Sequence, residues 1–325
     1  MLRGLHGIDP LFFGGYLDST FTVNTTLTND LYVNNLTINT GIAVIASGCR
    51  IFVSGVLTIG AGASLTANGG NAQPASDASV AGTGASANTI GGGSTGGAGG
   101  KVTVGGSQVG VTGSNLVHGI GGAGGAGGSV TAEIVTVPAV AGGPGGAVAS
   151  DAIFLAAAIS SPIAITEGHV LLAGIVYEIF GGAGGGGGGC FATATGTAGG
   201  GGGGGGVMII CANKLINNGT ISANGGTGAT GQATDPVRTA AGGGGGGGGK
   251  IFLTCATIDT FGTIHANGGN GGNAALTSGT TNASGGLGGN GGTILVYSPL
   301  GVTYGGTVVG NFSLISGANG ANGTP

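Results

Sequence analysis

Tryptophan is absent from this 325-residue sequence, and charge is scarce, with six Lys and Arg against ten Asp and Glu. With a formal charge of −4 and no basic cluster, there is no electrostatic footprint for nucleic acid. Only eight prolines occur, and the glycine runs are unbroken, so collagen is excluded; it needs glycine at every third residue and abundant proline. Cys49, Cys190, Cys211 and Cys255 lie far apart without C-x-x-C spacing. They read as small buried apolar residues of a chain reduced on synthesis. The opening "MLRGLHGIDPLFFGG" lacks the apolar core of a signal peptide. The longest apolar region, 152–180, is broken by Pro162, Glu167, Gly168, His169 and Glu178. It reads as buried strands and not as a membrane span.

What is abundant is glycine, 86 residues of it, in a chain that is 40% apolar with a mean hydropathy of +0.46. Disordered chains combine low hydrophobicity with high net charge. This one has the apolar side chains to fold and too few charges to stay solvated as a coil.

The glycine is periodic. Runs begin at Gly199, Gly242 and Gly285, each 43 residues after the last. "VMIICANKLINNGTISANGG" (207–226) aligns with "KIFLTCATIDTFGTIHANGG" (250–269), and a third copy starts at "TILVYSPL" (293). Each unit holds an eight-residue glycine-rich run and an apolar strand such as Ile251-Phe252-Leu253. A turn and a short strand such as Thr263-Ile264-His265 follow, then Ala-Asn-Gly-Gly, read as a closing turn, and a loop of small polar residues. A unit with one apolar segment cannot bury itself, so neighbours must stack.

A polyproline II rod has three residues per turn and rises about 3.1 Å per residue, so eight residues span roughly 25 Å. Without Cβ atoms, such rods can pack closely and satisfy their backbone groups laterally. "GGAGGAGG" (121–128) and "GGLGGNGG" (285–292) keep their other residues three apart, on one edge of a three-fold rod. A flexible linker has no reason to hold that phase. The expected fold is all-β and irregular, with essentially no α-helix. N-terminal β-solenoid or β-sandwich-like strands lead into a packed polyglycine II bundle with short strands. The divisions read from the sequence are 1–19, an attachment segment or a flap; 20–70, β-rich; 71–198, glycine-rich with inserted apolar strands; and 199–325, the three repeats. "CRIFVSGVLTIGAGASLTANGG" (49–70) matches the repeats in pattern, with a basic residue before an apolar strand and then Ala-Asn-Gly-Gly.

Glycine runs also mimic nucleotide motifs. "GGGGGGK" (244–250) satisfies G-x-x-x-x-G-K, yet Ile251 stands where the magnesium-binding Ser or Thr belongs, and the run precedes a strand. Lys250 then marks the end of a rod. The four histidines sit in unrelated settings: His6, His118, His169 and His265, the last read as a surface position of the repeat. Glu167 and His169 are two apart, on one strand face; a local hydrogen bond is the plainer reading than a site. No spacing suggests zinc or calcium, no cofactor is implied, and nothing supports catalysis. The Asn-x-Ser/Thr sequons at Asn24, Asn35, Asn218, Asn282, Asn311 and Asn322 reflect composition.

"TTLTNDLYVNNLTINTG", "RIFVSGVLTI" and "LTANGG", followed by glycine-rich blocks, resemble glycine-rich virion proteins of tailed bacteriophages. The blocks also look like the tail-fibre-tip adhesins of some T-even-like phages. The resemblance implies layered polyglycine II helices whose interblock loops form a receptor-binding tip. Those loops are 71–90, 107–118, 190–198, 227–241 and 270–284. Their contact candidates are Gln73, Asp77, Gln108, Asn115, Phe191, Gln232, Asp235, Arg238 and Asn273. Leu11, Phe12, Phe13 and Tyr16 are candidates for attachment to the virion. The implied protein is non-enzymatic: a tail fibre or fibre tip for host recognition, made in the host cytoplasm and carried on the virion. It would be a homo-oligomer, a trimer by family habit, with other virion proteins and a host glycan or outer-membrane protein as partners. A capsid-decorating or head-fibre protein is the alternative. The rival class, an ice-binding or extracellular matrix protein on the same core, would need a flat array of Thr-x-Thr. Thr20/Thr22 and Thr26/Thr28 supply two such pairs, outside the repeat.

Overall fold

A computed structural model describes residues 17–73, 81–84, 92–102, 106–108, 127–128, 130–132, 143, 145, 164–166, 169–172, 175–178, 181–192, 196–232, 239–276, 281–297, 311–313 and 318–319. Leu11, Phe12, Phe13, Tyr16, Asp77, Asn115, Asp235 and Arg238 lie outside the described residues. Among the described residues there is no helix, and strands in parallel sheets dominate.

Two parallel sheets carry the apolar strands. The first runs Ser19–Phe21, Leu36–Ile38, Cys49–Ile59, Val207–Asn217, Lys250–Thr260, Thr293–Tyr297, with Leu31–Val33 also paired to Cys49–Ile59. The second runs Thr25–Thr26, Ala43–Ile45, Ser64–Thr66, Thr220–Ser222, Thr263–His265, Asn311–Ser313. Each turn of chain gives one strand to each sheet. The 43-residue period appears directly as register: Val207 pairs with Lys250 and Lys250 with Thr293. Alternation along these strands sends every second side chain inward. Ile51, Leu57, Ile59, Leu65, Met208, Ile210, Leu215, Ile221, Leu253 and Ile264 form one core.

The main strands are longer than the three apolar residues expected. Lys250–Thr260 spans 11 residues, because Val207–Asn217 pairs with it along its length and Thr293–Tyr297 pairs with Lys250–Thr254 on the other side, taking up N–H and C=O groups. At the turn into the second sheet, Gly262 has φ +54, and a Cβ there would press on the carbonyl oxygens of Gly219 and Asn217. The strand Val207–Asn217 lies against Cys49–Ile59, so residues from 20–70 and from 199–325 share both sheets. The register across that contact starts as Cys49 opposite Met208, sets Arg50 opposite Ile209, and shifts between Ala212 and Lys214. Arg50 is therefore in line with Ile209 and Phe252, and the two basic residues that look equivalent in sequence do not stack.

Between the sheets and the opposite end of the molecule run straight glycine-rich segments, alternating in direction. Segments 67–73, 223–232 and 266–274 lead away from the second sheet; 198–206, 241–249 and 284–292 lead back into the first. A third layer, 92–100 and 181–189, lies beyond the returning segments and runs outward. Segment 241–249 donates N–H groups in strict rotation. Ala241, Gly244 and Gly247 bond to 181–189, Gly242, Gly245 and Gly248 to 284–292, and Gly243, Gly246 and Gly249 to 223–229, at 2.6–3.3 Å. Every residue of 181–189, 198–206 and 241–249 is buried. Glycine is required by proximity: a Cβ on Gly204 would run into the carbonyl oxygen of Gly182. Leu287 and Asn290, three apart, are both exposed, and both carbonyls accept from 241–249.

Candidate recognition surface at the far end of the glycine segments

The outward segments end, and the returning segments begin, in short antiparallel strands. Segment 181–189 runs straight into Cys190–Ala192. That strand pairs on one side with Gly106–Gln108 and on the other with Thr239–Ala240, which in turn pairs with Ala275–Leu276. Beside this sheet, Lys101–Val102 pairs with Gly196–Thr197. Thr197 also bridges to Gln232, whose N–H donates to the Thr197 carbonyl at 2.9 Å.

Of the contact candidates in the described residues, four come together here. Gln108 lies opposite Cys190 and Phe191 opposite both Ser107 and Thr239. Gln232 sits on the Thr197 bridge, and Asn273 is exposed, its carbonyl accepting the Gly231 N–H at 3.0 Å. Gln73, also exposed, ends the outward segment 67–73. Lys101, Ser107, Thr197 and Thr239 join the same end. Ser107, Thr197 and Thr239 lie in the interblock loops read from the sequence without being singled out there, and Lys101, outside those loops, directly follows segment 92–100.

Elsewhere the chemistry is quiet. Among the described residues no three His, Cys, Asp or Glu side chains cluster as metal ligands. No disulfide joins the cysteines; Cys49, Cys190 and Cys255 are buried and Cys211 is half-buried. Burial pushes the Cys211 thiol up to about 11 and the Cys255 thiol to about 12. Lys250 begins its strand where segment 241–249 ends, as read from the sequence, but it is buried at 1% exposure. His265 is half-buried, not on the surface as expected; its Nδ1 is enclosed without a hydrogen-bond partner. His169 pairs with Thr166 and Glu178 in an antiparallel meander, and Glu167 lies outside the described residues.

At the N-terminal coils, Asp30 accepts from the Arg50 Nε at 2.6 Å and from its backbone N–H at 2.8 Å. Bonds from Asn34 and Asn35 lower the Asp18 carboxyl below its ordinary value. Thr20, Thr37 and Thr58 form one column across the first sheet, interrupted by Ile216 before Thr260. The longest unbroken threonine column among the described strands therefore has three members.

Comparison with protein-family models, curated proteins and solved structures found no match.

Proposed function

We propose that the chain is a non-enzymatic structural protein of a tailed-bacteriophage particle, a tail fibre or fibre tip that contacts the host surface. The observation that carries this reading is the sorting of the chain by end. Parallel sheets with an apolar core occupy one end of the glycine segments. Short strands bearing Gln108 and Phe191, with Gln232 and Asn273 beside them at the segment ends, occupy the other. The glycine segments are, in this proposal, a polyglycine II lattice, supported by N–H donation rotating every three residues. The two sheets are the rungs of a β-solenoid that organises it. Such a scaffold holds small polar groups rigidly, so contact costs little ordering entropy. The partner would be a host glycan or outer-membrane protein, and residues 1–19 would join other virion proteins in a trimeric assembly.

Electron microscopy of purified particles with an antibody to this chain tests the proposal. Label at the tail periphery is the expected result; particles without the chain overturn the proposal. Particles carrying Gln232→Lys with Asn273→Lys should adsorb to host cells at least tenfold more slowly, while the purified variant melts as wild type. Unchanged adsorption removes this end as the contact surface.

A further inference from the structure

The outer layer of glycine segments ends the lattice in a way its interior does not. Inside, segment 241–249 meets other segments on all sides, and backbone carbonyls accept each of its N–H groups. Segment 223–232 has neighbours on only some sides. Gly225, Gly228 and Gly231 donate to Asn267, Asn270 and Asn273; Gly226 and Ala229 donate to Gly203 and Gly200. Among the described residues no backbone carbonyl of another segment meets the remaining third of its N–H groups. There the asparagine side chains of the preceding segment take over. Asn68 Oδ1 accepts the Asn224 N–H at 2.7 Å, and Asn71 Oδ1 accepts the Thr227 N–H at 2.9 Å. The pattern continues across the layer. Asn224 Oδ1 accepts from the Asn267 N–H at 2.8 Å, and Asn270 Oδ1 from the Ala318 N–H at 2.8 Å.

We infer that Asn68, Asn71, Asn224 and Asn270 are lattice terminators, and that the face they close fits a glycine segment of a second copy of this chain once they are removed. An amide carbonyl is the side-chain group closest to a backbone carbonyl in acceptor geometry. It stands where the next layer's carbonyl would be. The side chains also occupy the space a further glycine segment needs, as Cβ atoms would inside the lattice. Unsatisfied N–H rows invite pairing with another chain, as exposed sheet edges do, and a glycine lattice offers the matching partner in every other copy. The inference concerns the lattice alone and stands whether or not the protein is carried on a phage.

Sedimentation velocity on Asn68→Ala/Asn71→Ala/Asn224→Ala tests it, with Asn290→Ala as control, since no described backbone N–H donates to that exposed side chain. The triple variant should sediment as larger species with rising concentration, while wild type and control keep one size. A folded triple variant with wild-type size at all concentrations overturns the inference. If the triple variant does not fold, amide exchange on the wild type decides. The Asn224, Thr227 and Asn267 amides should exchange at least a hundredfold more slowly than an open chain, like Gly226. Open-chain rates at these three amides overturn the capping role.

Discussion

Cys211 and Cys255 lie on adjacent parallel strands, and burial holds both thiols protonated well past the ordinary 9.0, to about 11 and about 12. The unfolded chain releases these protons near pH 9, whereas the folded chain keeps them. Their stabilising effect is therefore complete below pH 9 and is lost as pH rises toward the folded values. In that window each thiol lowers the unfolding free energy by up to about 1.4 kcal/mol per pH unit. Cys211 keeps an exposed edge, so Cys255 should dominate. Melting temperatures measured from pH 8 to 11 should fall steeply in wild type and less steeply in Cys211→Ala/Cys255→Ala; equal slopes would remove the thiols from the alkaline transition. That these cysteines fill space was legible from their isolation in the sequence. The burial of Lys250 was not, because a lysine after a glycine run looks like an exit into solvent until strands are placed on both sides of it.

Among elements, the repeat unit was the most legible feature, since a shared Gly-Thr-Ile triplet marks where the chain crosses from one sheet to the other. Thr263–His265 is a strand in the place read for it. Ala-Asn-Gly-Gly was misread as a closing turn. In all three copies it opens an outward segment, and its asparagine recurs every third residue: Asn68/Asn71 and Asn267/Asn270/Asn273, with Asn224 followed by Thr227. Asn-Gly is a turn signal in isolation; only the phase against a neighbouring segment gives it this other use. The false equivalence of Arg50 and Lys250 has a similar cause. The extra residues of the first copy sit in its bulge and turn, where the register slips without disturbing the hydrophobic pattern.

The crossing itself depends on Asn217, which is completely buried. Its Nδ2 donates to the Phe261 carbonyl of the next coil, and its Oδ1 accepts from the Gly219 N–H at 3.0 Å. Asn217→Ala should cost about 1–3 kcal/mol, since buried groups lose their partners. Chemical denaturation would measure it. A loss under about 0.5 kcal/mol, within the range of surface substitutions, would show that the turn holds without the asparagine.

At the scale of the molecule, chain order and spatial order part company. The strand after Cys49–Ile59 in the first sheet is Val207–Asn217, and the long excursion between them supplies the third layer of the glycine segments. The 43-residue period covers only the three late copies; the pattern match of 49–70 pointed to continuity with them, but not to the early and late strands pairing side by side in the same two sheets. Nor could it show that three returning segments of 43-residue spacing are enclosed by outward segments of irregular spacing. The molecule is built from two cores: a side-chain core between parallel sheets, and a backbone core in which glycine's lack of a side chain is the packing requirement.

Thermal unfolding of Gly204→Ala tests that second core most directly. In a flexible linker this change is neutral or slightly stabilising, because it reduces the entropy of the unfolded chain. In the packed segments the new methyl meets the Gly182 carbonyl oxygen, and overpacking of this kind costs about 1–3 kcal/mol or more. The expected result is a cooperative transition several degrees below wild type. An unchanged or raised melting temperature would contradict a glycine core.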